Sequence, residues 1–195
     1  MEAIYVVVGT ILGFALNELS TRWREHRTEK RQARACRALL SLEIDQNLAL
    51  LRDWWSEVTD IDSSLLYDPD DHYLLPASRL IELPLPSWSH KMWESQSQFL
   101  AIALNHEEIR QLSEIHGGID TIEAIHSALT GAYAQQQEDL RSVRSKTGSA
   151  ILPFGLTLRF HAAAPQLWTE CARVVSELLT RGNPLAEPPT SSAAG

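Results

Sequence analysis

The residue pattern predicts an all-α protein: an N-terminal transmembrane helix continues into a long stem helix, which packs in a cytosolic antiparallel helical bundle. Three observations carry that expectation. Residues 3–16, AIYVVVGTILGFAL, hold no charge, and seven basic residues follow between positions 22 and 37. Apolar residues then recur at alternating spacings of three and four in two long stretches, the period of helices packed on helices. No alternating valine- or threonine-rich run of the strand type occurs.

The first element is the apolar run. Fourteen residues are short for a span, which needs about 20, but the flanks lengthen it. Tyr5 and Trp23, residue types that favour the water interface, stand 18 residues apart, or roughly 27 Å of helix against ~30 Å of hydrocarbon. Glu18 and Arg22 are four apart and can pair on one helix face. The competing reading of a buried helix in a soluble protein rests on the shortness of the run. A cleaved signal peptide is disfavoured, because Met1-Glu2-Ala3 offers no basic start and no small-residue cleavage site follows.

Arg22, Arg24, Arg27, Lys30, Arg31, Arg34 and Arg37 face only two acids, Glu25 and Glu29, in their interval. The stretch is therefore +5 in a chain of net charge −8, leaving −13 on the remainder. Positive residues directly after a first span hold that side in the cytoplasm, so the N-terminus is expected outside a bacterial inner membrane and the main domain inside. All but Arg22 lie within about 140° of one helix face, where they suit anionic lipid headgroups. The acidic remainder argues against nucleic acid as the partner.

With no proline before Pro69 and no glycine between Gly13 and Gly117, residues 18–59 are expected to form one helix. Its seam is Leu40, Ile44, Asn47, Leu51, Trp54 and Val58, with Asn47 in the register-setting role of a polar seam residue. Four prolines make 60–87 a connector with one short helical piece over 77–83. Asp68, Asp70 and Asp71 lack the glycine and terminal Glu of a calcium loop. Ser87 or Ser89 is expected to cap a helix that runs to Leu104. Asn105 and Glu108 form a capping box for the next helix, whose seam is Leu112, Ile115, Ile119, Ile122, His126, Leu129, Tyr133, Gln136, Leu140 and Val143. Gly117-Gly118 is the expected kink or break. Pro165 opens a last helix, and Gly182-Asn183-Pro184 ends it. The predicted organisation is an anchor over 1–23, a basic stem and first bundle helix over 24–59, the connector over 60–87, a helical bundle domain over 88–182 and a disordered tail over 183–195.

The search for chemistry finds no phosphate-binding glycine loop, no H-E-x-x-H, no C-x-x-C and no G-x-S-x-G, so no catalytic, cofactor or metal residue is assigned and the chain is read as non-enzymatic. Cys36 and Cys171 exclude a disulfide framework; Arg34 and Arg37 would lower the Cys36 thiol pKa. His106 with Glu107, Glu108 and Glu114 forms a poor ligand set, since adjacent helical residues diverge. His126 on the seam needs a hydrogen-bond partner if buried.

Trp23-Arg24-Glu25-His26-Arg27, Leu42-Glu43-Ile44-Asp45-Gln46-Asn47-Leu48 and Leu83-Pro84-Leu85-Pro86-Ser87-Trp88 with Met92-Trp93-Glu94 together resemble uncharacterised bacterial single-span membrane proteins. In that group a basic stem precedes an E-I-x-x-N-L element and a Pro-Ser…Trp-Glu element. The resemblance covers about residues 1–140. It implies a cytosolic helical domain with no established reaction, and a setting similar to phage-defence or mobile-element neighbourhoods.

Three functions are therefore expected, in this order. The first is a membrane-anchored scaffold or interaction protein that self-associates, binds an unidentified cytosolic protein partner, or both. The second is a membrane-perturbing or pore-forming effector. The third is a helical enzyme, with His126, Glu43 and Glu107 as its candidate residues. Self-association is expected through Gly9, Gly13 and Asn17 on one face of the span, extended into the cytosol through Leu40, Ile44, Asn47 and Leu51.

Overall fold

Six α-helices and the turns between them make up the computed structural model, which describes residues 2–61, 71–95, 97–147 and 158–186, with side chains over 17–61, 72–95, 99–145 and 158–186. In order they are α1 (Glu2–Thr59), α2 (Asp71–Glu82), α3 (Lys91–Ser95), α4 (Ser97–Ala103), α5 (His106–Thr147) and α6 (Arg159–Arg181). No strand occurs among the described residues, and the all-α expectation stands. Among the described residues no helix is long and apolar enough to cross a membrane. The side chains of the apolar run 3–16, including Gly9 and Gly13, lie outside the described ones.

α1 divides in two by packing. From Asn17 to Ala35 its side chains are exposed, apart from the half-buried Ser20 and Ala33. The core begins at Cys36 and continues through Leu40, Ile44, Asn47, Leu51, Trp54 and Val58, each no more than 5% exposed. The predicted seam is thus correct, but its partner is this chain's own bundle. Leu40, Ile44, Asn47 and Leu51 are consumed by that packing, which corrects the expectation that they carry contact between copies.

The long helices α5 and α6 form the main interface. Arg159 pairs with Asp139 at one end and Arg181 with Glu114 at the other, so α6 runs antiparallel to α5. Trp55 stacks on Trp168 at 5.0 Å, and Asn183 reaches Ser41; α6 is therefore antiparallel to α1 as well. α2 fills the side of this core with Ala77 and Leu80, both fully buried.

Five local expectations need correction. The piece over 77–83 is a longer helix, α2, that tolerates Pro76 because its apolar face is buried on α5 and α6. The helix from Ser87 to Leu104 is two short ones, α3 and α4. Gly117-Gly118 does not break α5; a Cβ on Gly118 would lie 2.9 Å from Leu178 Cδ2, so the missing side chain lets α6 approach closely. Finally, α6 begins six residues before Pro165, and the stretch after it is part of the fold up to Ala186: Leu185 is 4% exposed and Asn183 Nδ2 donates to Ser41 O at 3.0 Å. Gly182, at φ 66°, provides the left-handed turn that ends α6 and donates to Leu178 O. Residues 187–195 lie outside the described ones.

Candidate functional site

Two arrangements draw on the residues singled out in the sequence: the basic stem and a buried polar clamp that joins α1 to the segment before α3.

In the stem, Arg22 donates to Glu18 at 3.1 Å, the pair expected from their spacing. The Arg27 guanidinium sits 3.6 Å above the Trp23 ring, a cation–π contact, while Trp23 itself is 57% exposed. Arg24, Lys30, Arg31 and Arg34 are exposed and have no ion-pair partner among the described residues. Together with Arg27 they span about 120° of one face at 100° per residue. Arg37 differs from the rest. Half-buried, it lies 2.7 Å from Glu108 Oε1, which ties the stem base to the start of α5 and holds the Glu108 carboxyl below its ordinary pKa. Arg37, expected among the lipid-facing residues, is thus held in the bundle. Asn17 is exposed at the outer end of the described stem. A shallow groove of about 480 Å³ runs between the stem base and α4, where Ile102 is exposed beside Lys30 and Arg34.

The clamp is built from the E-I-x-x-N-L element. Asn47, 1% exposed, closes a two-way amide bond with Ser89: its Nδ2 donates to Ser89 O at 2.8 Å and its Oδ1 accepts from Ser89 N at 2.9 Å. One turn earlier, Glu43 Oε2 accepts from Met92 N at 2.8 Å, which satisfies an orphan donor in the first turn of α3. Glu43 Oε1 is buried without a partner. The same segment is held from its other side by His90, whose Nδ1 is 3.0 Å from His116 Nδ1 on α5. Trp93 stacks on the His116 ring at 4.9 Å. Burial, with His90 adjacent, lowers the His116 pKa to about 4, and its Nε2 has no partner. The Pro-Ser…Trp-Glu element and the E-I-x-x-N-L element, separate in sequence, thus dock on one another.

Gln136, another polar seam residue, does the same for α6, accepting from Phe160 N at 2.9 Å. Asn105 and Glu108 form the predicted capping box, each side chain accepting from the other's backbone N–H at 2.9 Å. His126 is half-buried on the α5 seam with Nε2 unpartnered.

The three enzyme candidates do not converge. Glu43 is occupied by the α3 N-terminus, Glu107 is exposed and paired with Arg110, and His126 is roughly 28 Å from Glu107 along α5. The Arg110 hydrogen bond holds Glu107 at a pKa of about 2, and Arg110 also engages Glu114, so the acids considered as metal ligands with His106 are taken up in ion pairs. No group of three or more metal-ligating side chains occurs among the described residues. Cys36 corrects another expectation. It is 4% exposed, and burial raises its pKa instead of the neighbouring arginines lowering it; Cys171 is pushed up to about 12 for the same reason. Both are packing residues. The His90–His116 pair had no signal in the sequence, because 26 residues separate the two histidines and no motif links them; Trp93 was singled out only as part of the Pro-Ser…Trp-Glu element. Set against protein-family models, curated proteins and solved structures, the chain matches none.

Proposed function

We propose that this chain is a membrane-tethered helical scaffold: residues 1–23 anchor it, the stem lies at the anionic headgroups of a bacterial inner membrane, and the bundle is presented in the cytosol. One observation carries the reading. α1 is a single 58-residue helix, yet no side chain from Asn17 to Ala35 is buried, and Arg24, Lys30, Arg31 and Arg34 have no ion-pair partner among the described residues. An isolated helix draws little stability from propensity alone, so a stem of this length implies a surface outside the chain. A membrane supplies both the apolar medium for residues 3–16 and, at about 1 kcal/mol per basic residue, the counter-charge for the stem. The bundle carries buried polar groups spent on helix capping, and this supports interaction rather than reaction as its role.

The test is fractionation of cells expressing the full chain, followed by alkaline carbonate extraction. The protein is expected in the extracted pellet. Charge reversal of Arg24, Lys30, Arg31 and Arg34 is expected to reverse or scramble its orientation, read by protease protection of the bundle. Recovery of the unsubstituted chain in the carbonate supernatant would overturn the anchor.

A further inference from the structure

Two helical turns of the bundle meet through their histidines, whether or not residues 1–23 anchor the chain. His90-Lys91-Met92-Trp93-Glu94 and His116-Gly117-Gly118-Ile119-Asp120 each place a carboxylate four residues after a histidine. Both are helical at that point: Glu94 N donates to His90 O at 3.0 Å, and residues 116–120 lie within α5. Side chains four apart share one helix face, the spacing by which a single helix offers two ligands to one ion. Between the two turns, His90 Nδ1 stands 3.0 Å from His116 Nδ1. Two nitrogens bound at about 2.0–2.1 Å to one tetrahedral ion are themselves about 3.3 Å apart. The rings therefore need to part by only a few tenths of an ångström. They are also held where they are, His116 by its burial under Trp93 and the His90 segment by Asn47 and Glu43.

We propose that His90, His116, Glu94 and Asp120 form a site for one divalent transition-metal ion of the Zn²⁺ class. The histidines are its fixed ligands, and the two carboxylates close on the ion. Two imidazoles and two carboxylates are a set that suits Zn²⁺, whereas Mg²⁺ and Ca²⁺ take oxygen ligands. Glu94 and Asp120 are exposed and in no ion pair among the described residues, unlike Glu107, Glu108 and Glu114. The Asp120 charge already acts on His116. Both carboxylates stand outside the histidine pair in the structure, where no group of three ligands is preformed among the described residues. Exposed side chains change rotamer in ps–ns, so they can turn in once the ion sits between the rings. The proton count closes as well. The ring that donates in the pair moves its proton from Nδ1 to Nε2, and two neutral rings with two carboxylates neutralise a dication without releasing a proton. Such an ion ties α3 to α5, as Asn47 and Glu43 tie the same segment to α1.

The experiment is isothermal titration calorimetry of the full chain in mild detergent, stripped with a chelator and dialysed, with ZnCl₂ as titrant. Saturation at one ion per chain is expected. Partners of metal ligands are alone worth about 10–100-fold in affinity, so His90→Gln, His116→Gln, Glu94→Gln and Asp120→Asn are each expected to weaken binding at least about tenfold. His106→Gln and Glu123→Gln, both exposed and on α5, are expected to bind as the unsubstituted chain does. Glu94 and Asp120 are exposed, so their variants keep the fold, checked by circular dichroism, even where His116→Gln does not. CoCl₂ in place of ZnCl₂ is expected to give the visible absorption of a four-coordinate site, lost in the same four variants. No saturable binding at one ion per chain would overturn the site, as would undiminished affinity in either histidine variant. Undiminished affinity in either carboxylate variant would overturn the four-residue set, and a loss in His106→Gln would put the ion elsewhere on α5.

Discussion

At the scale of residues, the bundle spends its buried polar groups on backbone. Asn47 satisfies both the N–H and the C=O of Ser89, Glu43 the N–H of Met92 and Gln136 that of Phe160. Asn47→Ala removes two bonds and leaves both backbone groups of the half-buried Ser89 without their partner, an expected loss of about 2–3 kcal/mol. Glu43→Gln keeps an oxygen acceptor for Met92 and is expected to cost less than half as much; urea denaturation midpoints in mild detergent compare the two. The His90–His116 pair predicts a pH dependence. Its 3.0 Å Nδ1–Nδ1 contact requires one nitrogen to donate and the other to accept. The folded-state pKa of His116 is about 4 against an ordinary 6.5, so the folded chain resists protonation more than the unfolded chain does. That contribution is complete above pH 6.5 and is lost as the pH falls from about 6.5 through about 4. Lys91 adjoins His90 in sequence, Asp120 stands one turn along α5 and raises the His116 pKa, and Glu43 comes to the same segment from α1. The unfolding midpoint is expected to drop over that window in the wild type and to drop less in His116→Gln.

At the scale of elements, helix identity followed local pattern, and helix limits followed contact. The two adjacent glycines of α5 give a clean test. At Gly117 an added Cβ meets nothing within 4 Å, so Gly117→Ala is expected to stabilise by about 0.5–1 kcal/mol through the unfolded state and helix propensity. Gly118→Ala would gain the same propensity but place its Cβ against Leu178, and is expected to fall 1–2 kcal/mol below Gly117→Ala. Thermal melts of the two variants read the difference. The same contact explains why α5 runs through a pair of glycines that reads as a breaker: the helix is supported from the side by α6.

At the scale of the whole molecule, the stem and the bundle are separable. Since no side chain from Asn17 to Ala35 is buried and the core begins at Cys36, deleting residues 2–35 is expected to leave a monomeric helical bundle. Its urea midpoint should lie within about 0.5 kcal/mol of the full chain, as surface changes usually do. A molten truncated chain, seen as lost near-ultraviolet dichroism with helix retained, would show that the stem takes part in the fold. The separation also accounts for the charge asymmetry, with +5 confined to residues 22–37 while the acidic remainder forms the bundle and its flanks.

Periodicity alone determined the long helices. The seams of α1 and α5 and the capping box at Asn105 were legible because each depends on residues three or four apart on one helix. The basic stem was legible in composition, because its charge is a property of the residues alone. What faces what was decided only in three dimensions. One heptad seam reads the same whether its partner is a neighbouring helix or a second chain, so the sequence could not tell that Leu40, Ile44 and Leu51 belong to the bundle and leave Leu39 and Leu42 outside. The Cys36 thiol depended on burial more than on its charged neighbours, which sequence proximity cannot show. The clamp of Glu43 and Asn47 on Ser89 and Met92 spans more than 40 residues of chain. Its bonds go to backbone groups that every residue possesses, so they leave no mark on the partner's sequence.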